Sequence, residues 1–468
     1  MPEAAVVASL SPQRLNRMLS VAAPQHPKMQ AEIQSLGAPV AMLAPAVGTS
    51  FDGPRPTARS GEAWDHETVV RALRDVGSEV AGSGQGEGTV LTVRNLEPSV
   101  AQAALTEIAL EKGWAQETAE GQVQWVQFDQ VDAGWIESVL QRIKAFFTGR
   151  AERPPLPEAP DPLPATCKMA VVGDWGTSLY GAPRFTQWAS QVADWDAVVH
   201  LGDTYYAGTS REIMRRLSRP WPVPQSPGTA TLSRFLNGNH EMYSGGQAYF
   251  SLLSDFKQAH PQASSGFAMQ NDHWLVVGLD TSWHGFRVEP AMRNGHLDSD
   301  QIEWLKRLMA QAGNRRVILM SHHPPFHFTG SENAELTSDL QWLWDLNKVA
   351  IWYWGHEHFG AQYNPAPYGF SGRCLGHGGL PEHREPVVRN AAVSQPIHGT
   401  ACTWRLVSTP VGGQSVQAWV LDGPNPLVVP GPGADDYAPH GWAVLTLDGP
   451  NLVEDWYLAD GAVRLLQP

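Results

Sequence analysis

The sequence predicts an α/β protein with its ligand site at the C-terminal ends of parallel strands. Met169–Val172 and Ala197–Leu201 are apolar runs of strand length, and each ends in Gly-Asp, as Gly173-Asp174 and Gly202-Asp203. Between them Pro183–Val192 has room for a crossover helix, so the two strands should be parallel neighbours. Three more polar clusters follow probable strands further along, each beside a glycine or proline. Open α/β sheets place their ligands at such strand ends. Two aspartates converging there repel each other unless a cation or a proton lies between them.

Composition narrows the class. At 468 residues the chain can hold two or three domains and a large core. Its 44 glycines and 37 prolines announce many loops. A net charge of −14 argues against general binding of nucleic acid or of an anionic membrane. Cys167, Cys374 and Cys402 are widely spaced and odd in number, so they form no disulfide framework and no zinc spacing, which fits a reducing compartment. No apolar run approaches 18 residues, and the first residues lack a basic segment ahead of an apolar core. No membrane association is expected, and the cytoplasm is the expected compartment.

Residues 1–60, rich in Ala, Pro and Ser, read as irregular apart from a short helix over Pro12–Ala22. Residues 61–150 read as a small α+β accessory domain. Helices are expected over Glu62–Val76, Ser99–Trp114 and Trp135–Phe147, the last with Ile136, Val139, Leu140 and Ile143 on one stripe, and strands over Thr89–Val93 and Val123–Phe128. Its histidines, His26 and His66, form no cluster, so docking a partner is the expected role. Residues 151–165, AERPPLPEAPDPLPA, read as a semi-rigid exposed linker. The remaining chain, 166–468, is the expected catalytic domain.

That domain carries five clusters in a fixed order: Gly173-Asp174-Trp175-Gly176; Gly202-Asp203-Thr204-Tyr205-Tyr206; Gly238-Asn239-His240-Glu241 after Leu232–Leu236; His322-His323-Pro324-Pro325 after Val317–Met320; and Gly355-His356-Glu357-His358 after Val349–Trp354. Taken singly, a Gly-Asp after a strand is a turn and a buried histidine is a core residue. Together they offer carboxylate, amide oxygen and imidazole with no thiolate, a donor set that suits iron, manganese or zinc. In His356-Glu357-His358 alternate residues of an extended segment share a face.

With these residues the chain resembles the calcineurin-like metallophosphoesterases, and within them the purple acid phosphatase branch. The family signatures are GDxG, GDxxY, GNHE, a VxxH that runs on to a proline, and GHxH. Here they stand as GDWG, GDTYY, GNHE, LMSH followed by HPP, and GHEH, with Leu319 in place of the valine. Leu275–Trp283, His296–Leu308, Gly376–Gly379 and Gly441–Leu447 are similar to the family's intervening and closing elements. The resemblance covers roughly residues 166–460. It implies a four-layer α/β/β/α sandwich of two mixed sheets. It also implies two metal ions, one held by Asp174, Tyr206, His358 and bridging Asp203, the other by Asn239, His322, His356 and the same Asp203. Gly176 stands where most of the superfamily has a metal-binding histidine, and Tyr206 is available instead. A phenol with an ordinary pKa near 10 needs a strong Lewis acid to ionise it, which favours Fe(III) at that position and Fe(II), Zn or Mn at the other.

The chemistry implied is hydrolysis of a phosphate monoester, with a metal-bound hydroxide attacking phosphorus. His240, beside Asn239, is the candidate acid or transition-state donor, working next to Asp203. Asn239, His240 and His327 are the candidate substrate contacts. Tyr205 reads as a pocket wall or packing residue, His323 as support or core, His377 as a candidate rim residue, and Asp280 and Glu241 as carboxylates that orient ligand histidines. The motifs position a phosphoryl group without reading its leaving group, so a phosphodiester such as a cyclic nucleotide is the alternative substrate to a phosphorylated small molecule. A regulatory or binding module that docks a protein partner through residues 1–150 is the reading from a different class.

Overall fold

The computed structural model describes residues 150–468 except Leu179, Tyr206 and segments 287–294, 331–332, 365–368, 412–413, 428–436 and 466–468; ahead of these it describes two strands, β1 (Ala115–Glu117) and β2 (Val123–Trp125). The chain divides into two compact units, one of residues 1–117 with 123–150, the other of 118–122 with 151–468. In the first, β1 and β2 pair antiparallel, with Ala115 opposite Trp125. The strand expected over Val123–Phe128 is thus present as Val123–Trp125, while the other elements expected before residue 150 lie outside the described residues.

The second unit is built on two sheets. A six-stranded sheet has as one half β4 (Thr166–Val172), β5 (Ala197–His200) and the edge strand β6 (Leu232–Phe235), which run parallel. The helix α1 (Ala182–Ala189) makes the expected crossover, with Pro183 in its first turn, where no amide hydrogen bond is lost. The ten-stranded sheet is centred on β8 (Trp274–Leu279), β9 (Arg316–Ser321), β10 (Val349–Trp354) and β12 (Ser371–Leu375), again parallel. Antiparallel strands extend both sheets, among them β16 (Gly441–Asp448), which pairs with β4, and β17 (Asn451–Leu458), which pairs with β16.

Side-chain alternation sets the layers. Met169 and Val171 of β4, Val199 of β5, Ile318 and Met320 of β9 and Ile351 of β10 share one apolar core between the sheets. The opposite faces are covered by helices. Val198 and Phe235 pack with Phe185 of α1 and with Leu252 and Leu253 of α2 (Gln247–Asp255). Val277, Leu319 and Trp352 pack with Trp304, Leu305 and Leu308 of α3 (Ser299–Gln311), whose N-cap Asp298 accepts the Gln301 amide at 2.8 Å. The result is the four-layer α/β/β/α sandwich.

The proline-rich segment 151–165 departs from the expected exposed linker. Asp161–Pro162 forms the strand β3, which pairs parallel with Met269–Gln270 of β7 (Phe267–Gln270) at the edge of the larger sheet. Leu156 packs against the core, and the carbonyls of Pro154 and Pro157 accept from Ser264 and from the Trp304 indole at 2.7 and 2.8 Å. Prolines cannot donate along a sheet, but their carbonyls and rings remain good docking groups.

Candidate metal centre

The strands β4, β5, β9 and β10 end side by side, as does the loop after β6, and each delivers one motif. Three of the delivered residues have left-handed backbones: Asp174 at φ 53°, Asp203 at φ 72° and His356 at φ 67°. Such conformations cost about 1–3 kcal/mol each in residues with a Cβ and persist only where the surroundings impose them. Here the Asp174 amide donates to the Gly202 carbonyl at 3.1 Å, the Asp203 amide to Glu241 Oε2 at 3.2 Å, and the His356 amide to Asp174 Oδ2 at 2.8 Å. A Cβ on Gly238 would sit 2.1 Å from Asp203 Oδ1, so only glycine admits this approach.

Two groups of donor atoms result, and they share Asp203 Oδ2. In the first, the Tyr205 hydroxyl stands 2.6 Å from Asp174 Oδ1, 3.2 Å from Asp203 Oδ2 and 3.0 Å from His358 Nε2. His358 Nε2 is itself 3.4 Å from Asp174 Oδ1. In the second, His322 Nε2 lies 2.9 Å from Asn239 Oδ1 and 3.3 Å from Asp203 Oδ2, while His356 Nδ1 lies 2.9 Å from Asn239 Oδ1 and 3.2 Å from His322 Nε2. The surroundings fix which atoms face inward. His322 Nδ1 faces the Leu201 carbonyl at 3.0 Å and donates to it, so in the neutral ring the lone pair is on Nε2. Asn239 Nδ2 donates to Tyr243 at 2.6 Å, which turns Oδ1 inward. His358 Nδ1 faces Glu382 Oε2 at 3.2 Å, a carboxylate–histidine pairing typical of metal sites.

Acceptors that face acceptors at these distances call for positive charge. In the metal-free protein protons supply it. Burial presses the His322 imidazole downward, but the Asp203 carboxylate overrides it and carries it up to about 9. His358, likewise opposed by burial, is carried up to about 8 by Asp174 and Glu382. Burial would raise Asp203, yet His240 and His322 hold it well below the usual carboxylate range. The donor set therefore fits two small cations bound through oxygen and imidazole: Asp174, Asp203, Tyr205 and His358 would hold one, and Asp203, Asn239, His322 and His356 the other.

The structure brings together Asp174, Asp203, Asn239, His322, His356 and His358. Tyr206 lies outside the described residues, and the tyrosine seen in the cluster is Tyr205, read from sequence as a wall or packing residue. His240 is buried, its Nε2 3.6 Å from Asp203 Oδ2 and its amide donating to Asp203 Oδ1 at 3.0 Å. His327 Nδ1 receives the Thr329 amide at 3.0 Å, and its Nε2 lies 3.0 Å from Glu357 Oε1, which ties its loop to the segment between His356 and His358. His323 is buried and meets the Thr281 hydroxyl at 2.9 Å.

Other expectations change. Glu241 accepts from the Gly238 amide at 2.9 Å as well as from Asp203, and Asp280 accepts from Asn237 and from the Ser282 and Trp283 amides; both hold backbone or amide groups rather than ligand histidines. Burial, then the Asp203 charge, pushes Glu241 up to about 7. His377 is no rim residue: it is fully buried and stacks on Trp456. Glu382 was missed because an isolated glutamate in a loop carries no local pattern.

Residues 167–360 match the model of the calcineurin-like phosphoesterase family. Among curated proteins, the 3',5'-cyclic adenosine monophosphate phosphodiesterase CpdA of Pseudomonas aeruginosa is 25% identical over 184 residues, which covers 36% of this chain and 57% of that protein. Among solved structures, purple acid phosphatase PPD1 from yellow lupin (Lupinus luteus) seeds is similar at 17% identity and a TM-score of 0.42, covering 66% of this chain and 54% of that one. A dimetal phosphatase from Danio rerio is similar at 14% identity and a TM-score of 0.37, covering 64% and 98%. The chain thus spans little more than half the length of the first two. Among the described residues no helix is long and apolar enough to cross a membrane.

Proposed function

We propose that the domain hydrolyses phosphate monoesters of small molecules with two metal ions, Fe(III) at the first position and Fe(II), Zn or Mn at the second. One observation carries this reading: two four-donor groups share Asp203 Oδ2, with lone pairs turned inward by Leu201, Tyr243 and Glu382. When bound, such a metal pair neutralises phosphoryl oxygens and lowers the pKa of water to about 7. The chain's own residues do the rest. Asp203 and Asn239 fix the spacing of the two positions. His240, packed on Tyr205 and Tyr243 and 3.6 Å from Asp203, is held where it can pass a proton to the leaving oxygen. Cys167, Cys374 and Cys402 are buried and form no disulfide, which supports a reducing, cytoplasmic setting. A protein partner for residues 1–150 is part of the proposal.

A second reading keeps the site and changes the substrate to a phosphodiester; the named activity of the Pseudomonas relative favours it. Matched chromogenic mono- and diesters offered to the metal-loaded protein, with Asp203→Asn as blank, separate the two. Monoester turnover absent from the variant is the expected result. Diester preference would move the assignment to the second reading, and no turnover with iron, manganese or zinc would overturn both.

A further inference from the structure

Tyr205 is fully buried, and its backbone is pinned from both sides. Its amide donates to the Gly176 carbonyl at 2.9 Å, and Arg216 Nη1 donates to the Tyr205 carbonyl at 2.5 Å. Arg216 is in turn paired with buried Glu212 at 3.3 Å, and Glu212 caps the turn at Thr209 through the Thr209 amide at 3.1 Å. Gly176 makes the approach possible, since a Cβ there would stand 2.8 Å from Thr204 Cα. A larger residue at 176 would force this segment away from β4. Glycine instead lets the segment close in and carries the Tyr205 ring inward, against His240 at 4.3 Å between ring centres.

The hydroxyl at the end of that ring has one hydrogen and faces Asp174 Oδ1, Asp203 Oδ2 and His358 Nε2, at 2.6, 3.2 and 3.0 Å, all three of them acceptors once the imidazole is neutral. In the neutral imidazole with Nδ1 donating to Glu382, His358 Nε2 carries a lone pair. One hydrogen cannot serve three acceptors, whereas a cation among four oxygen and nitrogen donors can. We propose that Tyr205, the second residue after Asp203, gives its phenol oxygen to the first metal in place of Tyr206, the third residue, which the motif spacing points to. The inference rests on the two-metal reading above. On ligation the oxygen–metal bond replaces the O–H bond, and the proton leaves to solvent.

A phenolate on Fe(III) absorbs visible light by charge transfer, which gives a readout independent of turnover. The protein is loaded with iron, its metal content is measured, and the spectrum is recorded for wild type, Tyr205→Phe and Tyr206→Phe. Expected is a visible band in wild type and in Tyr206→Phe, lost in Tyr205→Phe while at least one iron per chain remains bound. A band that survives in Tyr205→Phe, or vanishes in Tyr206→Phe, overturns the assignment. If Tyr205→Phe does not fold, Tyr206→Phe decides: retention of the band supports Tyr205, because the other nearby phenol, Tyr243, is bound to Asn239 Nδ2 at 2.6 Å. An active, iron-loaded wild type without the band overturns this inference and leaves the function standing. A wild type that binds no metal overturns both.

Discussion

Arg373, Glu454 and Tyr353 form one buried polar cluster between the two sheets; Asp174, Asp203, Tyr205, Asn239, His322, His356 and His358 form another where the strands end. In the first, Arg373 donates twice to Glu454, at 2.9 and 2.8 Å, and Tyr353 donates to the same carboxylate at 2.7 Å. The remaining Arg373 nitrogen donates to the Gly372 carbonyl and to Asn364, at 2.8 and 2.9 Å. Charge and hydrogen count both balance within the protein. In the second, with the imidazoles neutral, lone pairs face lone pairs at 2.9–3.4 Å, and added protons or cations must supply the balance. Both clusters are buried and polar, so burial alone does not mark a site. The mark is which of them its own protons can satisfy.

Four experiments would break or sharpen that contrast. The largest effect is expected from Asp203→Asn, which removes the shared oxygen's charge. Phosphoester turnover should fall on the order of a thousandfold or more while the far-UV spectrum stays native. Near-normal turnover would mean that the cluster is not catalytic. Next comes pH. With His322 carried up to about 9 and His358 up to about 8, protons compete with metal below those values. Metal affinity should therefore rise with pH to about 9, and fall roughly tenfold per unit below it for each proton displaced. Chelator competition between pH 6 and 9 reads this directly, and a flat profile would remove the distinction between the clusters. Third, Glu454→Gln leaves the Arg373 charge unpaired and should cost about 3 kcal/mol in denaturant unfolding, with turnover per folded molecule unchanged. The smallest effect is expected for Glu382→Gln, which should weaken metal binding roughly 10–100-fold without the stability loss of Glu454→Gln.

Much of this was legible in the sequence because it is written in short-range patterns. Met169–Val172 and Ala197–Leu201 read as strands since strands buried on both faces are apolar without interruption. The clustered donor residues were legible because strand, glycine and polar residue occur together in each motif. What stayed hidden depends on distant pairing. Neighbouring tyrosines are equivalent in one dimension, and the approach of Gly176 to Thr204 that carries Tyr205 inward has no local signature. Glu382 meets His358 from a separate loop. The prolines of 151–165 announce an extended chain but not the edge of β7 on which it lies.

The pairing of β4 with β16 bears on how the protein is made. Thr166 hydrogen-bonds Asp448 across 282 residues of sequence. At about 5–20 residues per second of synthesis, β4 waits roughly 15–60 s for its neighbour on that side. During that interval the strand that will carry Asp174 has an open edge and an apolar run, Met169–Val172, available to any other strand. Completion of the smaller sheet around β4 thus has to await the synthesis of β16.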